Sequence, residues 1–197
     1  MQKIHQQEFI MIDTSDIRKN LKLLIDNDPW IVVDFQFVKP GKGQAFTRVK
    51  IKNLVSGNVI ERTYKSGEKL EEARIDESEM VFLYEQGGNY TFMDNNTYEQ
   101  VELTEDHVGD AKNFLVENMN VEMLFFQNRP ISIELPTFVD LQIVECEPAT
   151  KGDTVSGATK PAKLSTGHSV LVPLFVNNEE WIRIDTRTGA YVERVKK

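Results

Sequence analysis

The chain has 197 residues, 40% of them hydrophobic, and a formal net charge of −8. That length holds one large domain or several small ones, and the apolar content is that of a globular protein. No apolar run reaches the length of a membrane-spanning helix, the first residues lack a signal-peptide core, and the one cysteine makes no internal disulfide. These features argue against an integral membrane protein and lead to the expectation of a reducing cytoplasm.

Charge is unevenly placed. Residues 39–65 hold seven basic groups and one acidic group, residues 66–123 hold three and fifteen, and residues 124–197 hold nine of each. The negative total argues against a generic nucleic-acid coat. The basic segment is nonetheless drawn to phosphate, whereas the acidic one is repelled unless protein holds it there.

In chain order, the stretch from Thr14 leads to the turn signal Asn27-Asp28-Pro29. Trp30–Val38 and Ala45–Ile51 read as strands. Between them lies Lys39-Pro40-Gly41-Lys42-Gly43-Gln44. Pro40 presets φ, while Gly41 and Gly43 accept positive φ and strip bulk from both sides of Lys42. The expected result is a thin loop that carries an ammonium group outward. An ordinary hairpin turn with a solvated lysine accounts for the same residues. A phosphate cradle fits less well, because the G-x-x-x-x-G-K-[ST] spacing and a following helix are both missing. Next, Arg48, Lys50 and Lys52 alternate with Thr47, Val49 and Ile51, which puts three cations on one strand face. Such a stripe is either a solvated sheet face or a surface turned toward RNA. Ser56-Gly57-Asn58 reads as the next turn.

The polar run Ser66–Glu72 reads as a boundary. Strands resume at Met80–Tyr84, turn at Gly87-Gly88-Asn89 and return through Tyr90–Met93. Thr104–Met119 is the one helix candidate: Val108, Ala111, Phe114 or Leu115, and Met119 recur near a 3.6-residue period, as a core stripe does. Strands follow at Val121–Phe126 and Ile131–Leu135. A third segment begins near Thr137 or Phe138. It holds Cys146 as a packing residue, a polar loop over Thr150–Thr159, and strands at Val170–Val176, Trp181–Asp185 and Tyr191–Val195. Short strands with little helix predict a mainly β chain of three small modules.

Candidate chemistry outside the lysine loop is thin. His5, His107 and His168 lack metal-ligand spacing. Asp106 and Asp110 sit four apart without defining catalysis, and Ser165, His168 and Asp185 have no nucleophile-elbow context. A lysine-dependent enzyme, with Lys42 as base or Schiff-base former, needs an apolar pocket that a glycine-flanked loop tip does not offer.

The octet Lys39–Phe46 resembles the tip of the first domain of bacterial elongation factor P, in which the lysine between the glycines is post-translationally modified. The resemblance runs from about Thr14 to Lys197. It includes Phe82-Leu83-Tyr84, Phe92-Met93, Tyr98-Glu99-Gln100, Lys160-Pro161-Ala162, Thr166-Gly167, Val170, Val172-Pro173, Val176 and the final run Asp185–Arg194. Glu179 departs from it, standing where the family usually has glycine. Residues 1–10 have no match, which makes Met11 a candidate start.

The resemblance implies three β-barrel domains in an L-shaped arrangement: an SH3-like (KOW-like) domain at 11–74, and OB folds at 75–137 and 138–197. It implies a monomeric, non-catalytic translation factor without metal or cofactor. Such a factor binds the 70S ribosome between the peptidyl and exit sites and promotes peptide-bond formation at polyproline stalls. Lys42, extended by a lysine-modifying enzyme, would point toward the peptidyl-transferase centre. Pro40 and Gln44 make the loop resemble the β-lysyl type rather than the aminopentanol or rhamnosyl-arginine types. Lys39, Pro40, Gly41, Lys42, Gly43, Gln44, Arg48, Lys50 and Lys52 would meet peptidyl-tRNA and rRNA. Gly152, Asp153 and Thr154 would lie near messenger RNA, and Tyr191 and Arg194 at the small subunit, although both also suit packing and solvation of the last strand. The alternative is a general RNA-binding module or a paralogue with altered targets.

Overall fold

The computed structural model describes residues 10–147 and 158–197. The proposed messenger-proximal residues Gly152, Asp153 and Thr154, and His5, lie outside them. The described chain is mainly β, with three sheets. By its contacts it forms two compact units. One runs to Glu77 and takes in Leu124–Ser132; the other joins Ser78–Met123 to Ile133–Lys197.

The first sheet contains β1 (Met11–Asp13), β2 (Lys22–Ile25), β3 (Asp28–Val38), β4 (Phe46–Asn53), β5 (Val59–Lys65) and β6 (Lys69–Glu72), in the order β1-β6-β2-β3-β4-β5. A single 3-10 turn, Thr14–Asp16, follows β1. Asp13 caps it by accepting from the Ser15 N–H, and Asp16 accepts in return from the Asp13 N–H. The turn between β2 and β3 is Asp26-Asn27, with φ of 55° and 66°. It is not Asn27-Asp28-Pro29: Asp28 and Pro29 already pair with Ile25 and Leu24. Asp and Asn tolerate the left-handed region, and two such residues make the hairpin turn whose twist suits antiparallel strands. The polar run Ser66–Glu72 is likewise not free of this sheet. Its second half is β6, which pairs with both β1 and β2 and buries Leu70. Leu23, Val32, Val49 and Ile51 are fully buried and centre the core.

The second sheet has β7 (Asp76–Gln86), β8 (Asn89–Asp94), β9 (Gln100–Thr104), β10 (Asn120–Phe126) and β11 (Arg129–Glu134), in the order β11-β10-β7-β8-β9. The helix expected over Thr104–Met119 is much shorter. One turn, α1 (Glu105–Val108), stops at Gly109 (φ 56°, ψ −137°), and a 3-10 stretch covers Gly109–Asn113. Gly109 adopts a conformation open almost only to glycine, so the α-ladder cannot continue through it. The apolar stripe is core, as expected, but Phe114 packs into the core of the third sheet rather than serving a helix face.

That third sheet is β12 (Phe138–Cys146), β13 (Thr159–Leu164), β14 (Ser169–Pro173), β15 (Trp181–Asp185) and β16 (Ala190–Val195), in the order β14-β13-β12-β15-β16. Strict alternation in β13 and β15 sends Ala162, Leu164, Ile182 and Ile184 inward. Lys160 shares the inward face at 6% exposure, and its Nζ donates to the Glu147 carbonyl at 2.7 Å. Cys146 ends β12 half-buried, packed against this core. The His168 ring meets Phe114 edge-on at 5.4 Å, and Thr166 Oγ1 donates to the Asn113 carbonyl at 2.7 Å.

Candidate nucleic-acid interface

Strands β3 and β4 pair from Trp30↔Asn53 out to Val38↔Phe46, and the loop Lys39–Ala45 closes this long hairpin. The base of the loop is tied down: the Ser66 N–H donates to the Ala45 carbonyl at 3.0 Å, and Gln44 Nε2 donates to the Ser66 carbonyl at 3.2 Å. Beyond it, Gly41, Lys42 and Gly43 are exposed. A Cβ added at Gly41 meets nothing within 4 Å, and Gly43 has φ 107°. Lys42 makes no ion pair among the described residues. Lys42 is therefore exposed at the loop tip, as the sequence leads one to expect, and it is the backbone of Gly43, not a lack of room, that calls for glycine.

The cation stripe is built as its period requires. Thr47, Val49, Ile51 and Asn53 are buried, whereas Arg48, Lys50 and Lys52 are exposed. Asn53 fixes the far end of β4: its Oδ1 accepts from the Val55 and Ser56 N–H groups at 2.8 Å, and its Nδ2 donates to Asp28 at 3.0 Å. The three cations are not equivalent. Lys50 lies between Asp34 on β3 and Glu61 on β5, so acid flanks it on both sides. Asp34 also holds Lys19 at 3.0 Å, which pulls its carboxyl below the usual range. Arg48 has Gln36 and Thr63 as neighbours, and its guanidinium lies 5.7 Å from the Phe46 ring centre. Lys52 has Ile31 and Val59. In direct register among the described residues, acid thus faces Lys50 but neither Arg48 nor Lys52.

On the opposite face, Phe35 and Phe37 pair with buried Val49 and Thr47, yet remain 40% and 59% exposed. Sequence reasoning missed this apolar surface beside the lysine loop. The alternation of β3 points both rings inward; only the reach of the hairpin beyond its core leaves them uncovered.

Tyr191 and Arg194 share one open cavity of about 750 Å³ with Phe175, Glu180, Trp181 and Lys197. Arg194 Nη1 donates to Glu180 Oε1 at 2.9 Å, and its guanidinium lies 5.1 Å from the Phe175 ring centre. The Asn177 N–H, and then Arg194, hold the Glu180 carboxyl below its usual range, while burial raises the Tyr191 hydroxyl. Asp185 is gripped by the Arg187 fork at 2.6 and 3.0 Å, and His168 packs on Phe114, so Ser165, His168 and Asp185 do not form a relay.

Models of known families match in three consecutive blocks. They are the elongation factor P KOW-like domain over residues 13–70, the elongation factor P OB domain over 75–133 and the elongation factor P C-terminal region over 139–194. Elongation factor P of Syntrophus aciditrophicus is 52% identical over 186 residues, which cover 94% of this chain and all of that protein. The chain belongs to the elongation factor P family. Elongation factor P of Desulfatibacillum aliphaticivorans is 50% identical over 187 residues, covering 95% of this chain and all of that one. The translation initiation factor 5A of Methanococcus jannaschii shares the fold, with a TM-score of 0.53 at 24% identity over 64% of this chain and 93% of its own. Elongation factor P is a family of translation elongation factors, and the loop and stripe described above are this member's basic hairpin.

Proposed function

We propose that this factor binds the 70S ribosome between the peptidyl and exit sites and speeds peptide-bond formation where consecutive prolines stall the nascent chain. The observation that carries the reading is the exposed Lys42, without an ion pair among the described residues, at the tip of a long basic hairpin. Proline reacts poorly because its ring restricts the backbone. A factor that holds the end of peptidyl-tRNA in a reactive geometry lowers the entropic part of the barrier, and the ribosome supplies the chemistry. Lys39–Gln44 and the stripe face peptidyl-tRNA and rRNA in this reading. A lysine-modifying enzyme extends the Lys42 amine with a β-lysyl group, adding reach while keeping positive charge near phosphate. Gly152, Asp153 and Thr154 lie near messenger RNA, and Tyr191 and Arg194 touch the small subunit. The factor works as a monomer in the cytoplasm, with domains at 11–74, 75–137 and 138–197.

The deciding experiment is translation of a triproline message. Lys42→Ala is expected to fold normally, since no core cavity results, and to lose most rescue. Peptide mass of the native protein is expected to show an adduct on Lys42. Full rescue by Lys42→Ala, or full activity of a native protein with an unmodified lysine, refutes the assigned role.

A further inference from the structure

We propose that Thr14 is a positioning residue for Lys42, acting through the turn between β5 and β6, which splints the lysine loop from one side. The inference deepens the ribosomal reading above and rests on it for the use made of the Lys42 pose.

The loop is held unevenly. On the arm that follows Lys42, Gln44 Nε2 donates to the Ser66 carbonyl at 3.2 Å, and the Ser66 N–H donates to the Ala45 carbonyl at 3.0 Å. Among the described residues, no hydrogen bond or ion pair holds Lys39, Gly41, Lys42 or Gly43. The arm before Lys42 is last fixed at Val38, which pairs with Phe46, whereas the arm after it is already fixed at Gln44. The spread of an untied segment grows with its length, so the nearer tie sets where the amine sits.

Ser66 can serve as that tie only if its own turn stands still. Gly67 has φ 88°, and its N–H donates to Thr14 Oγ1 at 3.1 Å. On the other side of Ser66, the Lys65 N–H donates to Glu68 Oε1 at 3.0 Å, and the Glu68 N–H donates to the Lys65 carbonyl at 3.1 Å. Thr14 is 6% exposed and belongs to the 3-10 turn after β1, far from Ser66 in sequence. Its hydroxyl has one proton to give, with Asp13 Oδ1 at 3.2 Å and the Lys65 carbonyl farther off at 3.5 Å. A valine of the same shape would leave the Gly67 N–H without its protein acceptor. The line of contact thus runs from Thr14 through Gly67 and Ser66 to Gln44 and the lysine loop, all inside the first compact unit.

A group that works by holding a reacting end in place loses rate when it is misplaced, even where it still binds. The exposed cations of β4 are set by strand pairing and not by this splint. Loosening the splint is therefore expected to spare docking and to slow the step that docking serves.

The test reads the free protein and the ribosome separately. In the full-length factor, amide relaxation by NMR gives order parameters for Gly41 and Gly43. Thr14→Val and Gln44→Met are expected to lower both, while Thr14→Ser keeps them because serine retains the acceptor. Gln44 is exposed, so Gln44→Met folds and tests the same splint should Thr14→Val unfold. In triproline translation, with Lys42 adducts matched by peptide mass, Thr14→Val is expected to lower the rate at saturating factor about threefold and to leave the half-effect concentration within about twofold. Thr14→Ser is expected to match the native rate. The double variant is expected to lose less than the product of the two singles, since both act along one path. Unchanged order parameters in both single variants overturn the inference, as does an equal loss in Thr14→Ser or a loss confined to the half-effect concentration. A loosened loop with native rescue overturns the link to Lys42. If the unsubstituted factor fails to speed triproline synthesis, the ribosomal reading falls, and the order parameters still decide whether the splint exists.

Discussion

Glu179 shows what one residue can carry. The family resemblance leads one to expect glycine there, and in this chain the position is left-handed, with φ 66°. Its N–H donates to the Ile143 carbonyl at 2.9 Å, and its own carbonyl accepts from Gln142 Nε2 at 3.2 Å, so the turn cannot relax to suit the side chain. The left-handed conformation costs an L-residue about 1–2 kcal/mol, whereas glycine loses about 0.5–1 kcal/mol more chain entropy on folding. The first term wins. Glu179→Gly is expected to stabilise the protein by about 0.5–1 kcal/mol, read as a higher urea midpoint; an unchanged or lower midpoint refutes the argument. Lys160 makes the complementary point. Alternation in β13 puts a lysine on an inward position, and the Glu147 carbonyl gives its ammonium a partner there.

At the scale of an element, the β3–β4 hairpin combines two opposed requirements. The inner residues of β4 hold it to the core, and its outer residues remain exposed. Arg48 to Lys52 spans about 13 Å of strand, and in direct register among the described residues only the two ends of that stripe face no acid. Arg48→Glu is therefore expected to weaken ribosome binding more than Lys50→Glu, and to flatten its salt dependence more. Equal losses, or none, across a salt series would show that the stripe is only solvated. The connection after β9 offers a second case. A Cβ at Gly109 meets nothing within 4 Å, so the space is free and only the backbone objects. Gly109→Ala is expected to cost about 1–3 kcal/mol in denaturant unfolding. A neutral substitution there would mean that the helix end shifts at no cost.

At the scale of the molecule, stability is divided between two compact units, each with its own apolar core. Phe114 belongs to the second. It leaves the β9–β10 connection, enters the third sheet's core at 5% exposure and fills the space beside Gly189 and His168. Phe114→Ala is expected to cost about 3–5 kcal/mol, because the ring's burial is lost and the cavity collapses only in part. Hydrogen exchange should then rise across β12–β16 before it changes in β2–β5. A loss under about 1 kcal/mol would show that the ring is not structurally required.

Period two alone picks the buried and exposed residues of β4, because side chains alternate wherever one strand face is covered. The Lys42 loop is equally legible, since Pro40 and the two glycines act through local sterics that need no distant partner. Local patterns failed where another part of the chain intervened. The apolar period over Thr104–Met119 cannot reveal that Gly109 ends the helix and that Phe114 serves a different sheet. Ser66–Glu72 reads as a boundary by composition, and only the fold shows that β1 and β2 recruit its second half as a strand. The exposure of Phe35 and Phe37, the acid on both sides of Lys50, and the bond from Gly67 to Thr14 are likewise tertiary facts. Each depends on which strands become neighbours and how far the core extends. The sequence by itself determined the mainly β class, the family and the exposed lysine; the tertiary structure decided which cations of the stripe face acid and which aromatic rings remain in water.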